Sequence, residues 1–377
     1  MSGIPVARIL GIEIRIHFSW IFIIAIITVT VGGQLNLVEP GSGPFMAWVV
    51  GAVSSLGFLL TVVIHELAHA LVGRRMGNPV DAISVHFVGS PSAVDVQATS
   101  ARAEIAIALA GPLTSLAISV LLILASLASA AIGGAFFDAL ADLTFIIGGL
   151  NLVLGLISLI PAFPLDGGRI VRGIVWRRTG DDRRGTRAAG QVGRWAGRFF
   201  LGAGLAVILT GNTVDGAMLG LAGWFLMASA RSVDRWIVLD RLITGVRVGE
   251  AMEADFESVS PQLTLDTFAR SVLDGTVAPA LAVLRDEKLV GMIGADQLRG
   301  VPQKEWPSTR IADVMIDAAD VPHVDADDLL SIGLDRLRDS HLDGLPVLDA
   351  TGLRGVMTRR SIAAMLRARA ELNGVVL

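Results

Sequence analysis

The chain has 377 residues, room for two domains or more, and 53% of them are hydrophobic against 18% charged. That balance excludes an ordinary soluble enzyme and points to a chain that crosses a membrane several times. There is no cysteine, and the net charge of -4 hides an acidic excess in the last third against a slightly basic apolar part; disulfides and thiolate metal sites are excluded, and nothing supports a nucleic-acid partner.

The N-terminal segment MSGIPVARILGIEIRIHFSW carries Arg8 and Arg15 and runs into an apolar stretch with no small-residue cleavage site, so it reads as a retained first span. Ser19 to Asn36 is free of charge, as is Gly43 to Ile64, which leads directly into His65-Glu66-Leu67-Ala68-His69. Residues 76–100 alternate β-branched and polar positions around Gly89-Ser90-Pro91. They predict a strand pair beside the membrane, or a re-entrant hairpin covered by the bundle. Ile105 to Phe137 and Leu143 to Leu165 are the third and fourth apolar stretches. Phe199 to Val214 and Gly216 to Ala230 are shorter, with Gly211-Asn212-Thr213 as the turn between them.

A span needs about 20 residues, and the pattern predicts about six transmembrane helices. The connections at 34–42, 133–142 and 211–216 hold no Lys or Arg. The opposite side holds Arg8, Arg15, Arg74, Arg75 and Arg102, the arginines from Arg169 to Arg187, and Arg231, Arg235 and Arg241. The positive-inside rule then predicts a multi-pass cell-membrane protein with both termini cytoplasmic.

Near residue 245 the composition changes and a repeat emerges. VGEAM (248–252) recurs as IADVM (311–315), and ALAVLRDEKLVGMI (280–293) recurs as GLPVLDATGLRGVM (344–357). The fold class expected is a polytopic α-helical membrane domain over 1–245 with a membrane-associated β segment. A soluble α+β tandem repeat follows over 246–377, with copies at 246–303 and 308–370.

The chemistry sits at the end of the second span. On a helix, residues i and i+4 share a face, so His65 and His69 can hold one zinc ion with Glu66 beside it as base for a water. A catalytic zinc takes a third protein ligand and keeps one position open. His, Glu and His within an apolar span are costly unless they face the bundle and find partners. Three residues are candidates for the third ligand: His86 in the strand-like segment, Glu104 at the start of the third span, and Asp166. A carboxylate at 104 also suits a helix N-terminus, without a metal. Asp166 follows Pro161 and Pro164, which break the fourth span, and precedes Gly167-Gly168, which permits a tight turn. It lies on the same membrane side as His65 and fits best.

In HELAH (65–69), ALAGPLTSL (108–116) and NLVLGLISLIPAFPLDGGRIVR (151–172), the chain resembles the site-2 protease family of intramembrane zinc metalloproteases. The branch it looks most like carries a C-terminal pair of CBS domains. The resemblance implies one zinc ion per chain held by His65, His69 and Asp166, with Glu66 as general base. It implies hydrolysis in or near the transmembrane helix of single-span membrane proteins, such as anti-sigma factors, within the lipid bilayer. The family pattern has an Asn three residues before the first Pro of this region; here that residue is Ser158, and Asn151 lies one heptad earlier, so both become candidate substrate contacts. CBS domains often bind adenine nucleotides and pair into homodimers. Their usual Gly-apolar-apolar-Thr-x-x-Asp pattern is incomplete in both repeats, leaving Asp296, Thr358 and Arg359 as candidate nucleotide contacts. A non-enzymatic membrane sensor or transport regulator with a structural metal is the alternative. It would require a fourth protein ligand, and none is obvious in the sequence.

Overall fold

The computed structural model describes residues 3–38, 44–85, 98–273, 280–340, 342–350 and 352–372. The chain divides into two compact units, Met1–Asp234 and Arg235–Leu377.

The first unit opens with a hairpin. β1 (Ile4–Ile9) pairs antiparallel with β2 (Ile12–Ile16), and Leu10 and Gly11 turn the chain with positive φ. β3 (Ala82–Val85) joins the other edge of β2 in parallel. The strand expected after residue 76 therefore finds its described partner in the N-terminal hairpin. His86 and the rest of that segment to residue 97 lie outside the described residues.

Seven helices follow the hairpin among the described residues: α1 (Ser19–Val38), α2 (Pro44–Arg75), α3 (Ala101–Ile132), α4 (Ala135–Ser158), α5 (Asp166–Thr179), α6 (Asp182–Leu209) and α7 (Thr213–Ile243). Among the described residues, five stretches are long and apolar enough to cross a membrane: Phe45–Arg75, Ala101–Ile132, Ala135–Ser158, Asp182–Leu209 and Thr213–Arg231. α1 carries a shorter apolar run, Ser19–Leu35. Leu56, Leu121, Leu124, Phe145 and Leu156 are all exposed. Helices apolar on every side suit lipid as solvent, since their backbone bonds are satisfied internally.

Some boundaries differ from those read in the sequence. The connection expected at 133–142 is only Gly133-Gly134, both with positive φ, so Asp138 and Asp142 fall inside α4. The span expected from Phe199 is the second half of a 28-residue helix. Its first turns hold Arg183, Arg184 and Arg187, and Asp181 caps the amides of Arg183 and Arg184. Hydropathy marks such a charged stretch as loop, although arginine is a good helix former.

Core packing explains what holds the end of α2. Ile12, Ile14, Val80 and Val85, from the sheet and its approach, pack on Val62, Val63 and Ala70. Arg74 donates to the carbonyls of Leu10 (2.7 Å), Gly11 (3.1 Å) and Val80 (2.8 Å). The sheet thus braces the turns that carry His65 to His69. On another side of α2 lies α3, which also packs against α4 and α5.

The second unit contains α8 (Val248–Ala251), β4 (Ser258–Val259), α9 (Leu265–Leu273), β5 (Ala280–Arg285), β6 (Lys288–Gly294) and α10 (Ala295–Arg299). After a 3-10 turn at Ile311–Asp313 come β7 (Ile316–Asp317), β8 (Val324–Asp325), α11 (Leu330–Asp339), β9 (Gly344–Asp349), β10 (Gly352–Thr358) and α12 (Arg359–Leu372). The sheets run β4-β5-β6-β7 and β10-β9-β8. Each repeat lends backbone to the other: Ile316 pairs with Met292 of the first, and Glu253 bridges Val356 of the second. Gly291 and Gly355 make room for the exchange, because a Cβ on either would lie 2.5 Å from the carbonyl oxygen of Ile316 or Glu253. Ala282 and Met292 share one core with Val347, Val356 and Met357.

Candidate metal centre

Three donors expected from the sequence converge. His65 and His69 lie one turn apart on α2, and Asp166 is the first residue of α5; their ligand atoms all lie within 4.8 Å of one another. The two Nε2 atoms are 3.1 Å apart, and Asp166 Oδ2 is 3.6 Å from that of His65 and 3.4 Å from that of His69. His65 is buried, while the side chains of His69 and Asp166 keep 12% and 17% of their surface open, so water can reach the cluster. Glu66, half-buried, follows His65 directly on the same helix.

Both rings are aimed by α3. His69 Nδ1 donates to the Ile107 carbonyl at 2.7 Å, which leaves a lone pair on its Nε2. His65 Nδ1 lies 2.8 Å from Ser115 Oγ, which can accept its proton in the same way. With both rings neutral and protonated at Nδ1, two lone pairs face each other across 3.1 Å, a repulsion that a shared cation relieves. Bonds of about 2.0–2.1 Å at tetrahedral angles place zinc donors about 3.3 Å apart, close to the spacing found. Two imidazoles and a carboxylate also suit zinc in kind. The backbone of α3 leaves the space: a Cβ on Gly111 would lie 2.2 Å from His69 Nε2 and 2.5 Å from His65 Nε2. The residues present therefore fit a zinc ion.

Gly111, Ser115 and the Ile107 carbonyl were not singled out from the sequence. The signal was present, since 107, 111 and 115 follow one another at the four-residue spacing of a single helix face. The glycine pair after Asp166 has a different role from the one its composition suggested. Neither glycine has positive φ. They sit in the first turn of α5 because the preceding backbone packs on them, and a Cβ on Gly167 would lie 2.3 Å from the Ile160 carbonyl oxygen.

Glu104, the other carboxylate considered, is fully buried against Arg169 and Arg172 of α5. Asn151 is also fully buried. Its amide donates to Thr61 Oγ1 (2.9 Å) and to the Ile147 carbonyl (2.8 Å), tying α4 to α2 one turn before His65. Its Oδ1 has no hydrogen-bond partner among the described residues. Ser158 is the buried last residue of α4.

In the second unit, Thr358 ends β10 and its hydroxyl accepts from the Ser361 amide at 2.9 Å, while Ser361 Oγ accepts from the Thr358 amide at 3.0 Å. Gln297 caps the Gly294 amide in the equivalent place at 2.9 Å. The two positions where the CBS pattern has Asp are thus occupied by helix-capping residues. Arg359 pairs with Asp343 on the surface, and Asp296 with Arg299.

Apolar helices of membrane length, enclosing two imidazoles and a carboxylate, define a polytopic membrane protein with a zinc-type donor cluster. Profiles of Peptidase M50B-like proteins and of Peptidase family M50 match residues 43–158 and 128–197, and the CBS domain profile matches 311–368. Rip3 of Mycobacterium tuberculosis is 30% identical over 367 residues, 97% of this chain and 93% of Rip3. The zinc metalloprotease MJ0392 of Methanocaldococcus jannaschii is 27% identical over 295 residues, 78% of each chain. The solved site-2 protease from Methanocaldococcus jannaschii aligns with 27% identity and a TM-score of 0.39, covering 61% of this chain and 94% of that one. The chain belongs to the peptidase M50, or site-2 protease, family and carries a CBS domain.

Proposed function

We propose that this protein is an intramembrane zinc metalloprotease that hydrolyses peptide bonds in or near the transmembrane segments of membrane proteins. The observation that carries the reading is the convergence of His65, His69 and Asp166 among membrane-length helices. His65, His69 and Asp166 would hold one zinc ion per chain, which supplies Lewis acidity and brings the pKa of a water towards ~7. The Glu66 carboxylate accepts a proton from the attacking water and delivers it to the leaving amine nitrogen. Ile107 and Ser115 hold the two imidazoles in the orientation that keeps each Nε2 lone pair available. The substrate carbonyl enters from the open side of His69 and Asp166. Ser158 is the proposed substrate contact, and Asn151 retains only its carbonyl oxygen for such a role. Three protein donors, with no fourth in the cluster among the described residues, favour catalysis over a purely structural metal.

The substrates fitting this reading are single-span membrane proteins such as anti-sigma factors. The protein lies in the cell membrane with both termini cytoplasmic, so the CBS pair is cytoplasmic and available for homodimerisation and control. The test is metal removal from the purified full chain, with a single-span reporter as substrate. A chelator abolishes cleavage, and one equivalent of zinc per chain restores it. Undiminished cleavage by protein verified to be metal-free would refute the reading.

Adenine nucleotide is the candidate regulator at Thr358, Arg359 and Asp296. Titration of the full chain with ATP, ADP and AMP gives binding heat that disappears in Arg359→Ala. No heat with any of the three leaves the tail as a ligand-free pairing or gating module.

A further inference from the structure

We propose that the buried Glu104–Arg169 pair is the positioning element for Asp166, fixing α5 on α3 so that its first residue meets the two histidines. This inference rests on the zinc reading above. Glu104 has no exposed surface, and the Arg169 side chain keeps 9%. The contact is a two-pronged fork, with Arg169 Nε at 3.1 Å from Glu104 Oε1 and Nη2 at 3.4 Å from Oε2. Arg172, one turn further along, reaches Glu104 Oε1 at 3.6 Å and Asp182 Oδ2 at 3.8 Å.

Asp166 needs such a device. It opens a helix of only 14 residues, entered from the non-helical stretch 159–165, and no side chain caps that end. Apolar contacts alone are non-directional and would let a short helix slide or rotate on its neighbour. A planar guanidinium meeting both carboxylate oxygens fixes position and rotation together. Arg169 lies three residues after Asp166, so both share one side of α5. Glu104, Ile107, Gly111 and Ser115 likewise share one side of α3. A single helix face therefore registers all three donors: Ser115 and Ile107 for the histidines, and Glu104, through Arg169, for Asp166. A buried charge network is a poor device for stability alone, since well-packed apolar side chains would serve as well or better.

The test is a double-mutant cycle on zinc affinity, measured by chelator competition with the full chain in detergent, alongside thermal melting. Glu104→Gln should weaken zinc binding about 10- to 100-fold. Asp166→Asn should weaken it at least as much. The double variant should bind no more weakly than Asp166→Asn alone, because Glu104 acts through that residue. A merely structural Glu104 would lower the melting temperature and leave zinc affinity unchanged, or would add its full effect to that of Asp166→Asn. Either result overturns the positioning role. If Asp166→Asn itself binds zinc as tightly as the parent, the ligand assignment fails, whatever Glu104 does. If Glu104→Gln does not fold, the paired replacement E104M/R169M, which removes both charges, takes its place in the cycle with the same expectations.

Discussion

Glu66→Gln retains a full complement of zinc and loses cleavage of a single-span substrate by about 10²–10⁴-fold, the range that positioned acid–base groups supply. The amide keeps the size of the carboxylate and its place on α2 between the two histidines, so neither ring loses its partner on α3. What disappears is the ability to accept a proton from water and pass it to nitrogen. The expected signature is therefore a fall in kcat with KM little changed, together with unaltered metal content. Cleavage at the parental rate would remove Glu66 from the mechanism and return the base to another carboxylate. Loss of zinc along with activity would instead make Glu66 a determinant of the metal site. Metal analysis on the same preparation as the rate measurement separates the two.

The legible part of this site lay in local spacing. HELAH places two imidazoles on one helix face by geometry alone, and a lone carboxylate after two prolines stands out against a charge-free span. The tail could be read for a similar reason: its two copies repeat the same apolar order, and the structure gives them matching strands and matching exchanged backbone. What sequence could not supply was the role of α3. Ser115, Gly111 and the Ile107 carbonyl act across a helix interface, and apolar periodicity in a membrane helix does not say which face meets which neighbour. Glu104 shows the same limit. A carboxylate in the first turn of a helix already has a sufficient local explanation in the helix dipole, so nothing in the sequence asks for its partner 65 residues away. The helix boundaries at 133–142 and 182–199 are not legible in the sequence because hydropathy reports solvent preference, whereas helices continue through charged residues wherever capping and propensity permit.

Gly111→Ala is the smallest change expected to abolish the site. By intrinsic propensity alone, the substitution would favour α3 by up to ~1 kcal/mol. The added carbon, however, would lie 2.2 Å from His69 Nε2, 2.5 Å from His65 Nε2 and 2.6 Å from His69 Cε1. Neither ring can simply tilt aside, because each is held at Nδ1 by the same helix that carries the new methyl group. Relief comes from breaking those two hydrogen bonds or from parting α2 and α3, and both separate the nitrogens from Asp166. Overpacking of this kind costs of order 1–3 kcal/mol, which a large bundle tolerates, so the variant should purify folded. Zinc affinity should fall by more than about 100-fold, beyond what loss of one outer hydrogen bond produces, since both donors are displaced together. Gly149→Ala on α4 is the matched control: a Cβ there meets nothing within 4 Å, so zinc content and cleavage should equal those of the parent. Parental zinc affinity in Gly111→Ala would show that the rings do not approach α3 as closely as the site requires, and the account of how that helix face aims both histidines would fall with it.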